Sequence, residues 1–231
     1  MPSELHLALR LEGPLQSWGF EDRFNRRKTA LLPTKSALLG MCCAALGAAR
    51  GSKDEQAWLP KLNALRCLVI AVPRKMQRGE NMRPLTVRRM EDYHTVLDTR
   101  SAEKPNLKDN AVLTYRTYLN DASFAVVFSG DADTLQELAA ALADPVWGMW
   151  LGRKACIPAS PVLRGSFESE TAALEHLLDG SPVADFTRQR EAQSFGDGTD
   201  TLMDAPESFG EPRQFSPRRV RLWRAGEPEE N

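Results

Sequence analysis

One passage near the N-terminus constrains this chain most: LHLALRLEGPLQSWGFEDRFNRRKTALLPTKSALLGMCCAALG, from Leu5 to Gly47. Leu5, Leu7, Leu9 and Leu11 alternate with other residues, the period of a strand. A loop follows with Gly13, Pro14, Gln16, Trp18, Arg23, Arg26, Arg27 and Lys28. Thr34 then suits an N-cap, and Leu38, Cys42, Ala45, Leu46 and Ala49 recur at helical spacing, which predicts a helix over 34–49. Gly40, Ala44 and Gly47 give that helix a low face able to lie close on a sheet. A strand, a basic loop and a helix start form a chemical unit. The free N–H groups of a first helical turn favour an anion. Lys35 adds a charge there and Ser36 a hydroxyl. Trp18 and Phe20 offer faces for a stacked base, as single-stranded nucleic acids require. On these residues alone, Trp18 serves equally well as core, and the arginines as a solvated loop.

Further elements follow in order. Leu65–Val72 reads as a central strand, Phe124–Phe128 as another, and Asp131 or Asp133 caps a helix through Ala143, with Gln136 fitting a capping box. The next strand lies at 147–151 or 161–163. Arg50–Pro60 reads as a polar connection. This order fits an α+β, ferredoxin-like βαββαβ domain over 1–165, with an insert at about 74–120. The remainder, 166–231, is an acidic segment with a short helix at Thr171–Leu178, an exposed loop over 191–211, and a basic final strand or hairpin over Gln214–Arg224.

Charge separates along the chain. The net charge is −1, so no coat of nucleic acid is expected. Yet Arg74–Arg89 holds six basic residues against Glu80, whereas 168–211 holds eleven acidic residues against Arg188 and Arg190. Local surface, not the total, decides whether a phosphate backbone binds. Cys42, Cys43, Cys67 and Cys156 lack metal-ligand spacing and read as reduced, buried thiols. No metal or other cofactor is expected. The absence of an apolar run of membrane-span length, or of a signal-peptide pattern, leads us to expect a cytoplasmic protein without a membrane partner. No Walker loop, Rossmann fingerprint or G-x-S-x-G motif occurs.

LRLEGPLQSWG followed by PTKSALLGMCCAALG resembles the opening signature of a CRISPR-associated family, the Cascade subunit of the E subtype (CasD family). MEDYHTVLDTR at 90–100, YRTYLNDASFAVVF at 115–128 and LGRKACIPASPVLRG at 151–165 agree in order. The resemblance covers about the first 165 residues and weakens beyond Gly165. It implies a non-catalytic subunit of an antiviral surveillance ribonucleoprotein, one that caps the 5′ handle of the guide RNA (crRNA). Its partners would be the backbone subunit, the large subunit and, through the assembled complex, target DNA. It also implies that the insert is a thumb over the guide, with a Tyr93-His94 tip.

Together with the basic and aromatic content, the resemblance assigns roles. Backbone N–H groups around Thr34–Ser36, with Lys35, hold a handle phosphate. Arg23, Arg26 and Arg27 line the path, and Trp18 or Tyr93 stacks a base. Gln16, Arg88, His94, Arg153 and Lys154 complete the expected RNA-binding set. The alternative is a metal-independent endoribonuclease that processes repeat RNA with His94, Tyr93 and a lysine. A related branch of the family cuts guide precursors, but DYHTVL resembles the E-subtype form.

Overall fold

The computed structural model describes residues 4–19, 25–78, 80–97, 111–194 and 196–228. The first alternating run forms β1 (Glu4–Glu12). The loop after it carries four two-residue strands, β2 (Leu15–Gln16), β3 (Trp18–Gly19), β4 (Arg26–Arg27) and β5 (Thr29–Ala30). Helix α1 spans Lys35–Leu46. The Thr34 hydroxyl accepts from the Ala37 amide, and Gly47 ends the helix at φ 72°, a left-handed geometry that glycine adopts without strain. The polar stretch after it is a helix, α2 (Lys53–Asn63), capped by Ser52 and containing Pro60. Glu55 is almost fully buried; its side chain accepts from the Gly51 and Phe209 amides at 3.0 Å each. Those bonds keep the helix despite a proline that has no N–H to donate to Gln56.

Strand β6 (Arg66–Ala71) leads into β7 (Lys75–Arg78), β8 (Asn81–Pro84), β9 (Arg88–Val96) and β10 (Val112–Asn120). Strand β11 (Ser123–Asp131) and helix α3 (Ala132–Ala143) follow. Asp131 is the cap, accepting from the Thr134 amide at 2.9 Å, so Thr134 and not Gln136 takes the third helical position. The later of the two expected strands is the real one, β12 (Leu163–Phe167), and it crosses residue 165. Helix α4 (Glu170–Leu178), a 3-10 turn (Val183–Asp185), β13 (Arg188–Glu191), β14 (Asp200–Ser208) and β15 (Gln214–Trp223) complete the chain. The region expected as an exposed loop over 191–211 therefore contains a strand, β14.

One seven-stranded sheet runs in the order β12-β1-β11-β6-β13-β15-β14, every neighbour antiparallel. The C-terminal strands extend it through β13 beside β6. Strand β11 is central, which is why it reads as a continuous apolar run buried on both faces. On one face Leu7, Leu9, Leu11, Phe124 and Phe128 meet Leu38 and Cys42 of α1, Leu62 of α2 and Leu138 of α3. On the other, Ala8, Leu68, Ile70, Ala125 and Val127 meet Ala173, Leu177 and Leu178 of α4. Arg10 reaches from β1 to donate to the Leu177 carbonyl at 2.8 Å. A cation at a helix C-terminus satisfies an orphan carbonyl and the dipole together. Fully burying each such leucine is worth roughly 1.5–3 kcal/mol.

The small face of α1 meets the C-terminal extension and the loop after α3, not a sheet: a Cβ on Gly40 would touch Phe209 at 3.6 Å, and one on Gly47 Val146 at 3.1 Å. The start of α1 is closed by charge. The Lys35 amide donates to Asp204 Oδ2 at 2.8 Å, and Arg218 holds the same carboxylate at 2.7 and 3.0 Å. The Lys35 ammonium, 1% exposed, donates to both Glu191 oxygens at 2.9 and 2.8 Å and to the carbonyls of Asn63 and Leu65. Burial opposes the charge on Arg218, but the hydrogen bonds and attraction from Asp204 outweigh it and raise its pKa. The four cysteines are free and buried. Burial pushes the Cys43 and Cys67 thiols up to about 12, and Cys42 and Cys156 also upward.

Two outcomes follow. Asp204→Ala strands the Arg218 guanidinium and a helix-start amide, and should cost about 3–5 kcal/mol in urea unfolding. Protonated, buried thiols are inert, so a thiol reagent at mildly alkaline pH should label the cysteines only as the protein unfolds. Rapid labelling of the native protein would contradict this packing.

Candidate nucleic-acid interface

Strand β10 organises the site. It pairs along its whole length with β9, placing Tyr93 opposite Tyr115 and Arg88 opposite Asn120. Its other edge takes β4 in parallel, with Arg26 beside Tyr115, and β2 antiparallel, with Gln16 beside Leu119. The Tyr115 amide donates to the Asn25 carbonyl at 2.7 Å. The resulting ribbon is a sheet of its own, inserted in sequence between β6 and β11, with Tyr118 and Leu119 at its foot buried in the core.

The loop GPLQSWG fastens this ribbon to the body. Gln16 is fully buried, and its amide donates to the Leu11 carbonyl at 3.1 Å and the Ala122 carbonyl at 2.7 Å. Ser17 donates from its amide to Leu151 and from its hydroxyl to Thr117. Glycine is required on both sides of this junction. A Cβ on Gly13 would lie 2.7 Å from the Ile157 carbonyl oxygen. One on Gly152, at φ 98°, would lie 1.7 Å from that of Ser17. Trp18 is fully buried, edge-on to Phe124 at 6.3 Å between ring centroids.

Several expected ligand residues are therefore structural. Trp18 cannot stack a splayed base from inside the core. Gln16 spends its donors on two carbonyls. Lys35 is buried on Glu191, and Asp204 already accepts from its amide at the helix start. Thr34 is buried as the cap, and Ser36 lies 3.3 Å from its hydroxyl. Arg153 donates to the carbonyls of Thr117 (3.1 Å) and Arg27 (2.9 Å) and lies over the Tyr118 ring, which stitches β10 to β4. Lys154 beside it is exposed. Arg23 and Phe20 lie outside the described residues.

What remains includes one aromatic surface. The Arg26 guanidinium lies over the Tyr115 ring at 4.9 Å, and Tyr115 meets Tyr93 at 5.3 Å between centroids. Tyr93 is 56% exposed. Lys28 is exposed beside this stack and Arg89 continues on the Tyr93 face toward the foot of β9, whereas alternation turns the exposed Arg27 and Arg88 to the other face. Glu91 and Asp92 share that strand, so positive charge concentrates at β4 and at the foot. Tyr93 and His94 sit within β9 and not at a tip. Successive strand residues point to opposite faces, so Tyr93 joins Tyr115 whereas His94 faces away, 3.9 Å from Asp92. Tyr115, Lys28 and Arg89 were absent from the expected set. Only the β9–β10 register, across a long connection, reveals that Tyr115 meets Tyr93. Among the described residues no cluster of His, Cys, Asp and Glu could hold a metal ion, and no helix is long and apolar enough to cross a membrane.

Comparison with known proteins gives consistent relatives. The family model described as CRISPR-associated protein (Cas_Cas5) matches residues 6–221. The chain is 31% identical over 221 residues to the CRISPR system Cascade subunit CasD of Escherichia coli (strain K12), covering 92% of this chain and 93% of that one. It is similar to a chain of a solved CRISPR RNA-guided surveillance complex, with a TM-score of 0.72, 26% identity, and 95% and 90% of the two chains covered. It is also similar to a crystal structure of a Cas protein, with a TM-score of 0.65, 30% identity, and 94% and 93% covered.

The buried amide supplies a test. Gln16→Leu leaves two buried carbonyls without donors and should lower stability by about 1–3 kcal/mol. A residue that only reads a base would leave the urea midpoint where it was.

Proposed function

The chain belongs to the CRISPR-associated protein family Cas_Cas5, and on that premise we propose that it is a non-catalytic subunit of a Cascade surveillance complex that grips the 5′ handle of the crRNA. We read the order β12-β1-β11-β6, with α1–α2 and α3 as crossovers, as the split βαβ, ferredoxin-like arrangement. The β7–β10 insertion is its thumb. RNA-recognition modules built on this arrangement stack bases on the open sheet face. Here α4 covers that face. The RNA must therefore use another surface, and the Arg26–Tyr115–Tyr93 stack, with Arg26 and Tyr93 exposed and Tyr115 half-buried, is the observation that carries the proposal.

A cation over an aromatic ring beside a second exposed ring matches the chemistry of single-strand binding: the rings stack bases, and the cations meet phosphates. Lys28 and Arg89 extend the backbone path. The handle-binding subunit contacts the backbone subunit through the same ribbon and the large subunit through the body, and it acts in the cytoplasm, where reduced thiols persist. A non-catalytic role is supported by the geometry of His94, the histidine of the ribbon. A ribonuclease needs its acid and base on one scissile bond, and alternation sends Tyr93 and His94 to opposite faces.

Replacing Tyr93 and Tyr115 by Ala should weaken binding of a short repeat-derived RNA by roughly tenfold or more, since each stacked base is worth about 1–3 kcal/mol. Arg26→Ala with Arg89→Ala should lower the salt dependence. Labelled repeat RNA incubated with the wild-type protein in EDTA should stay intact. Unchanged affinity in both variants, or cleavage abolished by His94→Ala, would overturn the reading.

A further inference from the structure

The tyrosine face of the β9–β10 ribbon carries one group that binding a phosphate backbone does not need. Strand β9 pairs with β10 so that Tyr93 lies opposite Tyr115, Glu91 opposite Thr117 and Arg89 opposite Leu119. Directly opposed residues share a face, and so do residues two apart on one strand. The contact between the Tyr93 and Tyr115 rings fixes which face this is. Glu91 and Thr117 therefore form the next row beside the tyrosines, about 7 Å away at the rise of a strand. Glu91 is exposed and Thr117 half-buried.

A carboxylate is out of place among phosphates. It repels them and weakens the local potential that draws a polyanion in. Nor does Glu91 hold the ribbon together. Among the described residues its side chain makes no ion pair or hydrogen bond, not even with Arg89, the cation two residues along on the same face. Asp92, the next residue, turns to the other face, where it lies 3.9 Å from His94. Glu91 is thus an uncommitted acceptor set beside the exposed ring of Tyr93.

The chemistry of the bases supplies a use for it. Splayed bases are stacked on rings and read by hydrogen bonds along their Watson–Crick edges, and an ionised carboxylate can only accept. Guanine alone offers two adjacent donors on that edge, N1–H and the N2 amino group, one for each carboxylate oxygen. Adenine and cytosine set a single amino group beside a ring nitrogen that accepts, and uracil sets one N–H between two carbonyls. Each of those edges turns a lone pair toward the carboxylate. The Thr117 hydroxyl opposite Glu91 is a donor that suits guanine O6, next along the same edge. We propose that Glu91 is the specificity-determining residue of this surface, accepting from N1–H and the N2 amino group of a guanine stacked on Tyr93. Glu91 acts in this way only if the aromatic stack holds single-stranded RNA, the reading proposed above. The tyrosines and cations suit any sequence, whereas Glu91 selects one base.

The full-length protein is titrated by fluorescence anisotropy with short oligouridylates that carry one central guanosine, inosine or adenosine, or none. The guanosine oligomer should bind roughly tenfold more tightly than the adenosine one, whose purine stacks as well, the range of a good bidentate base contact. Inosine keeps N1–H but lacks the N2 amino group, and should fall between. Glu91→Gln keeps the shape and removes the charge, and its amide, one donor and one acceptor, suits adenine as well as guanine. That variant should lose the guanosine preference and bind plain oligouridylate more tightly. No guanosine preference in the wild type, a preference kept by Glu91→Gln, or an equal loss on every oligomer would overturn the role of Glu91. Tyr93→Ala with Tyr115→Ala separates the two readings. If it weakens every oligomer while the wild type shows no guanosine preference, the ribbon still binds RNA and only the role of Glu91 falls. If it weakens none, the ribbon reading falls and takes the role of Glu91 with it.

Discussion

The buried ionic cluster at the start of α1 is the interaction on which the rest of the structure depends. Lys35, Glu191, Asp204 and Arg218 come from α1, β13, β14 and β15, two cations against two carboxylates. Buried ions are tolerated only when paired and fully hydrogen-bonded. Here the ammonium has Glu191 and two carbonyls, and the Asp204 carboxylate has a guanidinium and a helix amide. The cluster ties the first helix to the last three strands. It also fixes the start of the first helix: the Lys35 amide already holds a carboxylate, and the Lys35 charge is spent on Glu191.

A second constraint follows from layering. Both faces of the central strands are buried, one by α1, α2 and α3 and the other by α4. Central strands closed on both sides can anchor a binding surface but cannot be one. Exposed chemistry is pushed to the insertion, which the body fixes through Gln16, Ser17, Gly152 and Arg153. The same residue types thus divide by location. Arginine at 153 and lysine at 35 bind carbonyls and carboxylates of their own chain, whereas arginine at 26 and lysine at 28 face outward.

Much of the framework was legible in the sequence. The alternating leucines of β1, the Thr34 cap, the apolar runs of β6 and β11, the stripe of α3 and the final basic strand follow from local periodicity. The misreadings share a cause. Gln16, Lys35 and Asp204 look like surface or ligand residues because the groups that satisfy them lie 106, 156 and 169 residues away for the Ala122, Glu191 and Asp204–Lys35 bonds. Strand β14 hid behind its inward Asp204 and its Pro206, tolerated because β14 is an edge strand. Helix α2 hid behind Pro60 and a polar composition whose buried member, Glu55, is satisfied by backbone amides. Polar burial is a tertiary property, so a local pattern reads it as exposure.

The central claim is that RNA lies on the β9–β10 ribbon and not on the helix start or the sheet face. Photo-crosslinking of guide RNA in the assembled complex, with adducts mapped by mass spectrometry, tests it most directly. The account predicts adducts on Tyr93 or Tyr115 and none on Trp18 or Lys35. Adducts on the peptide carrying Trp18 or the start of α1, with the ribbon unmodified, would contradict it.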